Sequence, residues 1–73
     1  MTTTTTTTIA VRGMHCSSCG MLIDETLEEL PGVAAASTDL RRETTTVEYD
    51  PARTALQVIV AEITGLGYTA EVA

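Results

Sequence analysis

Residues 7–32 read TTIAVRGMHCSSCGMLIDETLEELPG, and the hydrophobic repeat changes period inside this stretch. Thr7, Ile9 and Val11 alternate with Thr8, Ala10 and Arg12, the two-residue repeat of a strand, which predicts β structure over Thr5–Arg12. Gly13 breaks it. After Cys16 the residues Leu22, Ile23, Thr26, Leu27 and Leu30 fall at helical spacing, and Asp24, Glu25, Glu28 and Glu29 fill the remaining face. Ser17 or Ser18 suits the N-cap, because a hydroxyl there can accept from an unpaired backbone N–H. Pro31-Gly32 stops the helix.

The rest of the chain extends this strand–helix start. Val33 to Asp39 reads as a strand of small residues, and Leu40-Arg41-Arg42-Glu43 as a polar turn. Thr45, Val47 and Tyr49 then alternate with Thr46, Glu48 and Asp50, giving one apolar and one polar face, as in a sheet covered on one side. Asp50-Pro51 marks a boundary. Leu56, Ile59, Val60, Ile63 and Leu66 recur at helical spacing. The length of that run favours a helix over a strand through Val58-Ile59-Val60. Gly65 and Gly67 terminate it, and Tyr68, Ala70 and Val72 alternate with Thr69 and Glu71 as a last strand. The order β-α-β-β-α-β predicts an α+β, ferredoxin-like fold: a four-stranded antiparallel sheet with two helices on one face. Residues 1–73 form one domain, with residues 1–4 of the threonine-rich start as a frayed tail.

Composition narrows the function classes. A chain of 73 residues without Trp or Phe builds a thin, aliphatic core and has little room for a substrate cavity, which argues against an enzyme. Ten Asp and Glu stand against four Lys and Arg, the wrong sign for nucleic acid and the right one for a basic protein partner. No stretch approaches the about 20 apolar residues of a membrane span. Neither a basic nor an apolar segment follows Met1, so the reading is a cytoplasmic protein that is not membrane-embedded. Two cysteines in that setting point to a metal or redox pair rather than a structural disulfide.

Cys16-Ser17-Ser18-Cys19 lies where the first loop becomes the first helix. Backbone N–H groups and the helix dipole favour a thiolate at that position, and thiolate is the form that binds metal. Soft thiolates select Cu(I), zinc or iron–sulfur clusters. Zinc and iron–sulfur sites call for four ligands, whereas this chain supplies two Cys and one His. Cu(I) accepts two or three soft ligands and fits best, with Ag(I) or Hg(II) able to substitute. An isolated CxxC is also compatible with a redox dithiol.

Gly13-Met14-His15-Cys16-Ser17-Ser18-Cys19 closely resembles the GMxCxxC motif of the heavy-metal-associated domain family, which includes cytosolic copper chaperones and the metal-binding domains of copper P-type ATPases. The resemblance continues through Pro31-Gly32-Val33, Val47-Glu48-Tyr49-Asp50 and Gly65-Leu66-Gly67-Tyr68. It implies that Cys16 and Cys19 are the metal ligands and that Met14 supports the loop from the core without binding. It also implies that Tyr68, on the loop before the last strand, lies beside the metal, either shielding it or simply packing on the core. His15 departs from the commoner small residue of the family. It could act as a third ligand, as a proton-sensitive modulator, as an exposed loop residue, or as a bridge to the ion of a second chain. Asp24, Glu25, Glu28 and Glu29 form an acidic helix face: a solvated surface, or a docking surface for a basic partner.

The resemblance implies a Cu(I) chaperone or buffer that hands its ion by ligand exchange to a copper-transporting P-type ATPase. Such a protein would be a monomer without metal and could form a copper-bridged homodimer. An initiating Met1 and a finished last strand favour a free-standing protein over an excised ATPase domain. Two further readings are a thiol oxidoreductase, for which neither Pro31 nor Pro51 is well placed, and a mercury-scavenging protein of the same fold.

Overall fold

The structure, a computed structural model, describes residues 4–13 and 17–72, with the side chain of Ser17 excluded. Met14, His15 and Cys16 lie outside the described residues, as do Met1–Thr3 and Ala73. Six elements follow in the expected order: β1 (Thr5–Arg12), α1 (Ser17–Glu28), β2 (Val33–Asp39), β3 (Thr44–Tyr49), α2 (Leu56–Gly65) and β4 (Thr69–Val72).

The strands form one antiparallel sheet in the order β2-β3-β1-β4. Alternation decides which face is covered. Ile9 and Val11 of β1 and Thr45, Val47 and Tyr49 of β3 are buried, whereas Thr8, Arg12, Thr46 and Glu48 between them are exposed. Ile23 and Leu27 of α1 and Ile59 and Ile63 of α2 complete the same cluster, so both helices cover one face. Each helix contributes two residues four apart, which stack on one side of a helix. The core is aliphatic except at Tyr49, which is 8% exposed.

Several local features depart from the sequence reading. β2 carries an irregularity between Val33 and Ala35: Val33 pairs with Tyr49 and Ala35 with Glu48, leaving Ala34 as an extra residue. A bulge of this kind resets the alternation. Val33 and Ala36, three apart, therefore both pack against the core. Leu22 is 44% exposed and so is not part of the inward stripe of α1. Gly65 is the last residue of α2 rather than its stop signal. The turn back comes at Gly67, with φ +101, whose N–H donates to Thr64 O at 3.0 Å. Tyr68 precedes β4 instead of starting it.

Two turns are built from aspartate side chains, as expected where a short carboxylate can accept from the backbone just ahead. Asp39 Oδ1 accepts from the N–H groups of Arg41 and Arg42 at 3.0 and 3.2 Å. Asp50 Oδ1 accepts from Ala52 N–H at 2.9 Å, and this turn leads into α2. The link from α1 to β2 passes through Gly32 at φ +93, whose carbonyl accepts from Asp50 N–H at 2.7 Å.

Candidate metal centre

Residues 13–16 connect the end of β1 to the start of α1, and the start of that connection is well tied. Val11 N–H donates to Glu43 O at 2.8 Å, and Arg12 pairs with Thr69 of β4. Gly13 follows with φ +97, a conformation that glycine adopts without the penalty of a side chain. The ring of Tyr68 lies against it: Tyr68 Cδ1 is 3.7 Å from where a Cβ on Gly13 would stand. Tyr68 is half-buried and packs against the core cluster. The loop before β4 is thus brought beside the segment that leads to the cysteines.

Cys19 falls in the first turn of α1 and is half-buried. The first turn carries no acidic residue, so no fixed negative charge on the helix competes with a thiolate there. Gly20, the next residue, is buried against β2 and the turn after it. A Cβ on Gly20 would stand 3.2 Å from Thr38 Cγ2 and 3.8 Å from Leu40 Cδ2. A glycine here lets the helix start approach the sheet closely. On the far side of the same turn, Met21 and Leu22 are exposed at 63% and 44%.

The four acidic residues of α1 and its end separate into two environments. Glu25, Glu28 and Glu29 are exposed. Asp24 is half-buried, and Thr38 donates to its Oδ1 at 2.7 Å. Asp24 therefore faces the sheet side of the helix and is tethered to β2. Sequence reasoning missed Thr38 and Gly20 as neighbours of the site. A lone glycine after the CxxC pair was the available signal, since glycine within a helix usually marks close packing.

Among the described residues no group of three or more His, Cys, Asp and Glu side chains comes together to hold a metal. Of the expected ligands only Cys19 is described; Cys16, His15 and the supporting Met14 lie outside the described residues. The donor chemistry at the described position, a thiol at a helix start, fits a soft ion.

Two helices on one face of a four-stranded antiparallel sheet, in the order βαββαβ, define a small α+β class of domain. The chain matches the heavy-metal-associated domain over residues 8–69 and belongs to that family. The match includes both cysteines. Over 58 residues the chain is 43% identical to the copper-exporting P-type ATPase of Bacillus subtilis, covering 80% of this chain and 7% of that protein. Over 59 residues it is 44% identical to a zinc-transporting ATPase of Synechocystis, covering 81% of this chain and 8% of that protein. The solved structure of the CopZ metallochaperone superposes with a TM-score of 0.88 at 25% identity, covering 92% of this chain and all of that one. The chain thus spans less than a tenth of the length of these transport ATPases. Among the described residues, no helix is long and apolar enough to cross a membrane.

Proposed function

We propose that this domain carries one Cu(I) ion as cargo between the thiolates of Cys16 and Cys19. It would pass the ion by ligand exchange to the metal-binding domain of a copper-transporting P-type ATPase on the cytoplasmic side of the membrane. The reading is supported above all by a family match that includes both cysteines, in a chain similar both to a copper-exporting ATPase and to a metallochaperone. Two thiolates satisfy Cu(I) but leave zinc short of four ligands. The half-buried position of Cys19 suits exchange, because an incoming thiolate must reach the ion before the outgoing one leaves. Ag(I) and Hg(II) would compete for the same pair, and no catalysis is assigned to the domain.

The surroundings take supporting roles in this reading. The ring of Tyr68 shields the ion from water on the side of Gly13, and Met14 supports the loop from below without binding. His15 leaves monomer affinity largely alone and acts on dimerisation, reaching the ion of a second chain. Glu25, Glu28 and Glu29 steer a basic partner towards the helix start. The carboxylates near the C-terminal end of α1 oppose the helix dipole, and no basic residue offsets them in the last turn. A surface that works against its own helix is easier to understand as one that serves a partner.

The test is a titration of the reduced protein with Cu(I) under nitrogen, in competition with a calibrated Cu(I) chelator. Tight binding at one ion per chain, lost in the Cys16→Ser/Cys19→Ser double variant while its circular dichroism stays native, supports the reading. Weak Cu(I) binding together with a dithiol potential typical of redox enzymes favours a thiol oxidoreductase instead. Tighter binding of zinc than of Cu(I) would move the cargo to that of the Synechocystis relative.

A second reading shares the chemistry and differs in context: the domain serves as the metal-binding module of a transport ATPase. Its 43% and 44% identity to two transport ATPases, against 25% to the metallochaperone, supports this. The size of the native polypeptide on an immunoblot decides between the two. A band near 8 kDa means a separate carrier, and a band many times larger means a module.

A further inference from the structure

We propose that Thr38 is a positioning residue for Cys19, holding the start of α1 at a fixed height above the sheet. The inference rests on the reading of Cys19 as a ligand, and its observations lie outside the cysteine pair itself. Thr38 sits on β2, in register with Thr45 on β3. Its side chain engages α1 at two points. The methyl packs where Gly20 comes closest, 3.2 Å from the place a Cβ would take. The hydroxyl donates to Asp24 Oδ1 at 2.7 Å, about one turn further along the helix.

Hydrogen-bond directions fix the rotamer. Thr38 has one hydroxyl proton, and a carboxylate can only accept, so that proton goes to Asp24. The 3.0 Å contact between the hydroxyls of Thr38 and Thr45 must then run from Thr45 as donor to Thr38 as acceptor. Thr45 is fully buried, so its hydroxyl has no water to turn to. A relay Thr45–Thr38–Asp24 therefore crosses from the buried face of the sheet to the helix, and every proton in it is placed. With the hydroxyl held in this way, the methyl is held against Gly20, the residue bonded to Cys19. Ile23 and Leu27 anchor α1 to the core from its second turn onward, and the Thr38 methyl on Gly20 adds a contact one residue from Cys19.

Outer groups that orient a metal ligand typically contribute about 10–100-fold to affinity. Thr38→Val keeps the shape and the methyl contact but breaks both hydrogen bonds; Thr38→Ser keeps the hydroxyl and loses the methyl. Ile63→Val, in the core beneath α2, controls for general loss of stability. Each would be measured by Cu(I) competition and, in the metal-free protein, by amide hydrogen exchange at Met21–Ile23. The expected result for Thr38→Val is an affinity loss of about 10-fold or more with faster exchange in that turn. Thr38→Ser, which keeps the hydroxyl relay but not the methyl on Gly20, should fall between Thr38→Val and the unsubstituted protein, and Ile63→Val should retain the affinity in full. Wild-type affinity in Thr38→Val, or an equal loss in Ile63→Val at matched stability, would overturn the assignment. If Thr38→Val fails to fold, Asp24→Ala, which removes the acceptor at the helix end of the relay, takes its place: lower affinity with faster exchange at Met21–Ile23 supports the assignment, and wild-type values of both overturn it. Failure of the copper reading would show in the unsubstituted protein; failure of this one shows only in the variants.

Discussion

The ring of Tyr68 packs against Gly13, with Cδ1 3.7 Å from the position a Cβ there would occupy. One residue from the loop before β4 thereby borders the segment that carries the cysteines. Removing the ring in Tyr68→Ala should lower stability by less than the about 3–5 kcal/mol of a fully buried aromatic, because Tyr68 is half-buried. If the ring shields the ion as proposed, Cu(I) affinity should fall by about 10-fold or more. Tyr68→Phe, which keeps the ring, separates packing from the hydroxyl. Thermal melts and chelator competition on both variants check this.

Gly13 and Gly32 have nearly the same φ, +97 and +93, but not the same surroundings. A Cβ at Gly32 would meet Arg53 Cβ at 3.0 Å and Thr54 Cγ2 at 3.1 Å, whereas at Gly13 the nearest atom is in ordinary contact. Gly13→Ala should cost about 1 kcal/mol from conformation alone. Gly32→Ala should cost distinctly more, since two packed side chains must also give way. Chemical denaturation of the two variants, compared at equal slope, checks the order.

Glu28 in the last turn of α1 and Glu29 just beyond it stand at the wrong end of the dipole. Glu28→Lys should raise stability by about 0.3–1 kcal/mol. If the acidic face steers a basic partner, the Glu25→Lys/Glu28→Lys variant should also transfer Cu(I) more slowly at unchanged affinity. Gains in stability and losses in rate from one surface are hard to explain without a partner. Stopped-flow transfer at low and high salt checks it, because the difference should shrink as salt screens the charges.

Leu27 is fully buried between α1 and the sheet. Leu27→Ala should cost about 2–5 kcal/mol, a large share of the stability of a domain this small. Circular dichroism at 37 °C should show a substantially unfolded population.

Much of the fold was legible in the sequence, because each element repeats its apolar residues at its own period. Thr5–Arg12 and Val33–Asp39 have the bounds that their patterns imply. What the pattern missed depends on contacts between elements. No signal in a run of alanines announces that Ala34 is the extra residue of β2. Leu22 fits a helical stripe as well as Ile23 does, but two helices sharing a four-stranded sheet leave room for a narrow stripe only, and Leu22 is left outside. Asp24 looked like one more exposed acid until β2 supplied Thr38 as its donor. Of the candidate site, the placement of Cys19 at a helix start follows from element order, whereas the nearness of the Tyr68 loop to the site was implied by the family resemblance and its contact with Gly13 needed the structure. Cys16, His15 and Met14 lie outside the described residues.

The strand order has a consequence for how the domain yields under stress. β2 and β4 form the edges, and β1 runs between β3 and β4, with Ile9 and Ala10 paired on both sides. Local opening starts where backbone bonds face solvent on one side, at edges and ends. Fraying of β2 leaves both ladders of β1 intact, whereas fraying of β4 removes Ala70 and Thr69, the ladder partners of Val11 and Arg12, and leaves Val11 N–H on Glu43 O. The chain segment that leads to the cysteines thus leaves the sheet beside its shorter edge strand, and opening of β4 alone would slacken the root of that segment while the β1–β3 pairing still holds the rest of the domain together.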